Sequence, residues 1–413
     1  MIIQSIAGLF VFSLIAWVIS ENRSQVRLKT ILIGIFIQLV IGVILLKISI
    51  FRDGFMILNQ LVMAVESATS AGTSFVFGYL GGGQLPFDEK FPGAGFILAF
   101  KALPLVLVIG ALSSLLFYWK ILPFIVKLFS KALQKTMNLG GAEGLGVSAN
   151  VFLGMVEAPL IISPYLKQMT RSEIFTLMTS GMATISGTVM VLYASILNKV
   201  IPDIMGHILI ASIISVPAAV LISKIMVPET DALTSGDLKL AESAEGPMDA
   251  VTQGTIQGVQ LIINIVAMLI VLIALVHLVN LTLGLIPEIN GAPFTLQRIL
   301  GYIMAPVVWF MGIPWNEAHV AGSLMGTKTI LNEFIAYLDL SRLPEGVLSP
   351  KSILIMTYAM CGFANPGSLG IMIGGMGTMA PERRSEIVSL GFKSIIAGTL
   401  ATCMTGAVVG VFY

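Results

Sequence analysis

ANVFLGMVEAPL, residues Ala149 to Leu160, sets a carboxylate, Glu157, inside an apolar run that also holds Gly154 and Pro159. A continuous membrane helix is not built this way. Glycine and proline break the helix, and broken backbone at membrane depth is tolerated only where it is buried in protein or lines a water-filled cavity. An ionisable side chain at that depth marks a functional site.

The rest of the chain supplies the membrane. Of 413 residues 56% are hydrophobic and only 11% charged, with a mean hydropathy of +0.95. Soluble domains carry roughly a quarter of their residues as Asp, Glu, Lys and Arg, so this composition is that of a polytopic membrane protein. A formal net charge of +1 points to no nucleic-acid partner. Cys361 and Cys403 both lie in apolar segments, which favours small packing residues over a disulfide. The first twenty residues, MIIQSIAGLFVFSLIAWVIS, have no basic lead and no small-residue cleavage site, so they are expected to stay as a first helix.

Apolar windows of spanning length fall near 2–20, 30–50, 95–118, 173–199, 204–227, 256–286, 351–376 and 388–413, which predicts about eight transmembrane helices. Two further apolar regions do not fit as single spans. One is 142–168, with Glu157 and Pro159; the other is 297–341, with Pro314, Glu317, His319, Lys328 and Glu333. Both are expected to be re-entrant helical hairpins, with tips at GMVEAP (Gly154 to Pro159) and GIPWNEA (Gly312 to Ala318), each followed by two spans. A hairpin plus two helices, repeated, predicts an all-α inverted-repeat transporter core.

Basic residues set the orientation. Arg23, Arg27 and Lys29, then Lys127, Lys131, Lys135, Lys167 and Arg171, then Arg383 and Arg384 fall in short loops that are expected to be cytoplasmic. Both termini then lie outside, and the two hairpins enter from opposite faces. The polar stretch from Pro228, with Glu229, Asp231, Asp237, Glu242, Glu245 and Asp249, reads as a solvated linker. Residues 54–68 are too short to span and are expected to form an interfacial or buried helix. The insertion cost of a mid-membrane carboxylate, about 2.5–3.5 kcal/mol, makes structural use of Glu157, Glu317 or Glu333 without a polar partner costly; Glu317 is a candidate brace for its hairpin. HExxH, GxSxG and paired-aspartate motifs are absent and His207 and His277 sit alone in apolar segments, which argues against a membrane-embedded enzyme. His319, near the GIPWNEA tip, is the histidine that merits a test.

Five motifs in order, ANVFLG with EAPL, SGMATISGTV (Ser180 to Val189), GIPWNEA, NEFIAY (Asn332 to Tyr337) and CGFANPGS (Cys361 to Ser368), make the chain resemble the concentrative nucleoside transporters, in their bacterial sodium-coupled branch, over essentially its full length. The resemblance implies a homotrimer in which a scaffold surrounds the threefold axis and a transport domain moves like an elevator. It implies scaffold helices and an interfacial helix in 1–140, a first transport repeat in 141–227, a polar cytoplasmic linker in 228–255, a long scaffold helix in 256–290 and a second transport repeat in 291–413.

The same resemblance implies a sodium site from Asn150, the Leu153 carbonyl, Thr184 and the Ile185 carbonyl, the last two in a partly unwound fourth span. It implies ribose recognition by Glu333, Asn365 and Ser368, which suit a cis-diol, with Phe363 as an apolar wall, Val189 beside it and Glu157 meeting a base edge. Many relatives carry Gln and Thr at the base-reading positions where this chain has Met155 and Val156. That pair offers only apolar or polarisable contact, and in the mammalian branch a Gly-Met pair at the positions of Gly154 and Met155 goes with purine preference. The expectation is a sodium-coupled symporter that imports nucleosides, purines first, across the cytoplasmic (inner) membrane with no cofactor beyond the ion. Proton-coupled or passive transport by the same fold, and a modified nucleoside as substrate, remain alternatives.

Overall fold

The computed structural model describes residues 1–26, 28–88, 95–198, 200–234, 244–287 and 293–413, and within the third helix only the backbone of 49–59 and 62. Arg27 and the middle of the polar linker, 235–243 with Asp237 and Glu242, lie outside the described residues.

Among the described residues the regular structure is all helix. The first two spans are α1 (Ile2–Val18) and α2 (Leu28–Lys47), followed by α3 (Ser49–Phe77). A third span is made of α4 (Leu98–Lys101) and α5 (Leu105–Tyr118), and α6 (Ile121–Met137) leads into the first hairpin, α7 (Gly141–Ala149) and α8 (Glu157–Ile161). The fourth span is broken into α9 (Arg171–Ala183) and α10 (Gly187–Leu197); α11 (Ile204–Met226) and α12 (Pro247–Leu283) are the fifth and sixth. The second hairpin region holds α13 (Leu296–Phe310), α14 (Trp315–Ile330) and α15 (Glu333–Ser341). The seventh span is broken into α16 (Pro350–Met360) and α17 (Pro366–Met379), and α18 (Arg384–Phe412) closes the chain. Among the described residues six helices or helix pairs are long and apolar enough to cross a membrane. With α1, of 17 residues, and the broken α16–α17 the total is about eight spans, which with the two re-entrant hairpins make a polytopic, inverted-repeat membrane fold.

Three expectations change. The segment expected at 54–68 belongs to a helix of 29 residues, because the small and polar run ESATSAGTS carries no proline to stop it. The linker is shorter than 228–255, since α12 begins at Pro247 with proline in its first turn, where a missing N–H costs nothing. The tip of the second hairpin is also misplaced. GIPWNEA forms a corner of 115° between α13 and α14, built on Gly312 at φ +105 and Pro314. The break that matters comes later, at Leu331–Asn332, between α14 and α15.

Packing runs through small residues, as bilayer interiors require when apolar burial no longer separates helix from lipid. A Cβ on Gly398 of α18 would sit 2.5 Å from Met182 of α9, and one on Gly254 of α12 would sit 2.4 Å from the Gly110 carbonyl of α5. Within the N-terminal 140 residues α1 lies on α18 and α13 and α2 on α11, whereas α5 pairs with α12. Part of the predicted cytoplasmic face is tied together by ion pairs, with Glu21 bonding Arg171 at 2.9 Å and Lys393 at 2.5 Å and Lys167 pairing with Glu382 at 2.9 Å, whereas Lys127, Lys131 and Lys135 stand in helix α6 and not in a loop.

Candidate functional site

Four helices begin at one cavity of about 140 Å³. Three of them are capped by side chains that line it. Ser186 Oγ accepts from Val189 N at the start of α10 (3.4 Å). Asn332 Oδ1 accepts from Ile335 N at the start of α15 (2.9 Å), and Asn365 Oδ1 accepts from Ser368 N at the start of α17 (2.8 Å). The fourth is α8, whose first residue is Glu157. Helix breaks thus deliver backbone N–H groups and positive dipole ends to one point, and the carboxylates of Glu157 and Glu333 stand in the first turns where that field favours an anion. Pro366 at the first position of α17 fits the same logic, since the N–H it lacks has no helical partner there.

All eight residues expected to contact substrate, Met155, Val156, Glu157, Val189, Glu333, Phe363, Asn365 and Ser368, line this cavity. Glu333 is buried; its Oε1 accepts from the Tyr193 hydroxyl at 2.5 Å and its Oε2 from Asn365 Nδ2 at 2.9 Å. Glu157 folds over its own hairpin tip, where a Cβ on Gly154 would fall 2.1 Å from Oε2. Only glycine leaves room for that carboxylate. Val156 packs against Gly375 of α17, where a Cβ would fall 2.8 Å from its Cγ1.

The four residues expected at the ion lie behind the tip. Asn150 closes α7 and Thr184 closes α9. The Thr184 hydroxyl reaches the carbonyls of Asn150 (3.0 Å) and Ser180 (2.9 Å). Asn150 Nδ2 donates to the Leu177 carbonyl at 3.4 Å, whereas its Oδ1 is buried without a hydrogen-bond partner. Leu153 and Ile185 stand outside helices, and among the described residues neither carbonyl accepts a hydrogen bond. An orphaned amide oxygen, two carbonyls left free at Leu153 and Ile185 and the Thr184 hydroxyl make an all-oxygen, uncharged donor set that fits a hard monovalent cation.

Other candidates fall elsewhere. Glu317 Oε2 accepts from Ser349 N (3.1 Å) and Ser349 Oγ (3.0 Å), so it braces the start of α14 against that of α16. His319 packs on Tyr302 and Trp315 at ring separations of 4.3 and 6.3 Å. His207 is not alone, since its Nδ1 lies 2.9 Å from the Tyr358 hydroxyl.

Sequence reading missed Tyr193, Ser186, Asn332, Phe334 and the α12 residues Leu261, Asn264, Ile265, Met268 and Leu272, all of which line the cavity. Tyr193 stands four residues after Val189 and so shares its helix face, a signal that was present. Asn264 was legible as an amide within the apolar run INIVAMLI. A second cavity, of about 330 Å³, shares Gly154, Glu157, Ser186 and Leu261 with the first and extends between α5 and α12 past Gln253 and Gln257. It leads from Glu157 toward the linker end of α12.

The chain matches three family models: Na+ dependent nucleoside transporter N-terminus over residues 7–80, nucleoside recognition gate over 99–200, and Na+ dependent nucleoside transporter C-terminus over 207–410. It is 35% identical to the nucleoside permease NupC of Helicobacter pylori, over 99% of this chain and 97% of that one. It is 34% identical to the uncharacterized transporter YutK of Bacillus subtilis, over 100% and 99%. Among solved structures, CNTnw in an inward-facing substrate-bound state superposes with a TM-score of 0.90 at 32% identity, covering 100% of this chain and 98% of that one. A variant of the same protein in an outward-facing state gives 0.91 at 33% identity, over 100% and 97%. With its broken spans, hairpins and cavity matched along the whole length, the chain belongs to the nucleoside transporter family, whose members are elevator-type membrane carriers and not enzymes.

Proposed function

We propose that this transporter is a sodium–nucleoside symporter of the cytoplasmic membrane that imports purine nucleosides in preference to pyrimidines. The observation that carries the coupling is Asn150 Oδ1, a buried oxygen without a partner in the hairpin whose tip also bears Met155, Val156 and Glu157. A sodium ion held by Asn150, Leu153, Thr184 and Ile185 orders that tip, and the ordered tip receives the nucleoside. The coupling is reciprocal, so each ligand tightens the other by the same factor. Glu333, Asn365 and Ser368 take the ribose hydroxyls. Phe363 and Val189 wall the site, and Met155 and Val156 give the base a polarisable, apolar face that favours the larger ring system.

The motion follows the packing. The α5–α12 pair stands as scaffold, its outer α12 face with Ile263, Ile270 and Leu278 exposed and suited to lipid or to the other subunits of a homotrimer. The two repeats carry the loaded site past α12. One positive charge moving through 100 mV releases about 2.3 kcal/mol, on the order of a forty-fold concentration ratio.

The test is equilibrium binding of adenosine to purified protein at a fixed pH. Replacing choline by sodium should tighten binding by at least about tenfold, and adenosine should tighten sodium binding equally. Identical affinity in both salts sinks the coupling, and tightening by protons in place of sodium transfers it to the proton-driven reading.

A further inference from the structure

Lys328 is a charged side chain that the mechanism so far does not use. It lies in the last turn of α14, just ahead of the Leu331–Asn332 break, and is fully buried. Its Nζ donates to Thr402 Oγ1 of α18 at 3.3 Å, and among the described residues no carboxylate forms an ion pair with it. The carboxylate whose charge acts on it is Glu333, while Cys361 and Cys403 stand nearby as neutral thiols. An ammonium withdrawn from water at this depth is costly without a compensating charge.

Glu333, on the far side of the same break, is the complementary case. Its carboxylate is buried and its two direct partners, Tyr193 and Asn365, are neutral. The pair therefore stands as two opposite charges on either side of one helix break, each with neutral hydrogen bonds and, among the described residues, no ion pair. In a water-poor interior such charges act on each other without touching. Lys328 does not line the cavity, so it acts on a ligand only through another group.

We infer that Lys328 is the fixed counter-cation of Glu333, a positioning residue that keeps the carboxylate in its acceptor form so that it receives two sugar hydroxyls. The inference rests on the assignment of Glu333 to the ribose. It also gives the two hairpins different solutions to one problem. The first presents an orphaned oxygen to a mobile cation, and the second carries its cation in the chain.

The test is a ratio of affinities at saturating sodium: adenosine against 2′,3′-dideoxyadenosine, and uridine against 2′,3′-dideoxyuridine. Lys328→Gln keeps a polar partner for Thr402 and removes the charge. It should lower the preference for the ribose form at least fivefold, leave the affinity for the dideoxy form unchanged, and preserve the thermal shift produced by sodium alone. Glu333→Gln should collapse the same preference, and the double variant should be no worse than Glu333→Gln. If Lys328→Gln cannot be purified, Lys328→Met gives the same ratio. Equal losses for both forms, an unchanged ratio, or losses that add in the double variant overturn the inference. A ratio untouched by Glu333→Gln overturns the ribose assignment itself.

Discussion

The Tyr193 hydroxyl donates to Glu333 Oε1 at 2.5 Å, joining α10 of the first repeat to α15 of the second through one hydrogen bond across the floor of the cavity. Tyr193 also packs on Tyr337 at a ring separation of 5.0 Å, so the bond is held by a rigid aromatic body. A carboxylate fixed this way faces the ligand already oriented, which lowers the entropy cost of binding.

Removing only that donor should cost affinity and spare the fold. Tyr193→Phe keeps the ring contacts and leaves Glu333 with Asn365 alone. A hydrogen bond to a charged group contributes about 1.5 kcal/mol or more, so nucleoside KM should rise roughly tenfold. Uptake kinetics check this, and the half-saturating sodium concentration, read at saturating nucleoside, should not move.

Asn150→Ala removes the orphaned oxygen behind the first tip. Uptake in sodium should fall to the level seen in choline, while the purified protein loses little thermal stability, because the oxygen has no partner and the amide nitrogen gives up only one long bond, of 3.4 Å, to the Leu177 carbonyl. Retained sodium stimulation would place the ion elsewhere.

Gly154→Ala puts a Cβ where Glu157 Oε2 lies 2.1 Å away. The carboxylate must swing off the tip, and nucleoside affinity should drop by roughly tenfold or more. Glu157→Gln in the same background should add little, which a double-mutant cycle on binding affinity reads directly.

At the predicted cytoplasmic end, Arg171 and then Lys393 hold the Glu21 carboxyl at about 2, below its ordinary 4.5, against the opposing effect of partial burial. A depressed acid contributes stability that is present above its unfolded value and lost as pH falls toward the folded one. Thermal unfolding in detergent should therefore show Glu21→Gln less stable than the parent by a constant margin from pH 8 to about 5. The margin should shrink below about pH 4.5.

The α5–α12 crossing depends on Gly110 and Gly254, whose carbonyls occupy the space a side chain would need. Gly254→Leu should destabilise the protein by about 1–3 kcal/mol through overpacking, seen as a lower melting temperature with sodium-dependent binding intact in the fraction that folds.

Much of this architecture was legible because its signals are local. Glu157 between Gly154 and Pro159, and Asn365 before Pro366, mark broken backbone wherever they stand, and the eight apolar windows follow from length alone. The second tip was misread because Gly312 and Pro314 bend the chain more visibly than Leu331–Asn332, where the break depends on an asparagine cap and no glycine or proline announces it. Tyr193 and Lys328 were hidden for another reason. What they do depends on the fold bringing Glu333 beside Tyr193 of α10 and Lys328 beside Thr402 of α18, and no spacing along the chain encodes those meetings. The length of α3 escaped because hydropathy ends a window where helix propensity does not.

The most direct test of the central claim is uptake of labelled adenosine and uridine into liposomes holding the purified protein, with sodium or choline outside and the pH gradient clamped. The account predicts concentrative, sodium-dependent uptake with adenosine ahead of uridine. Equal uptake in choline would contradict the coupling, uridine ahead of adenosine would contradict the reading of Met155 and Val156, and no uptake of either would leave the cavity to a modified nucleoside.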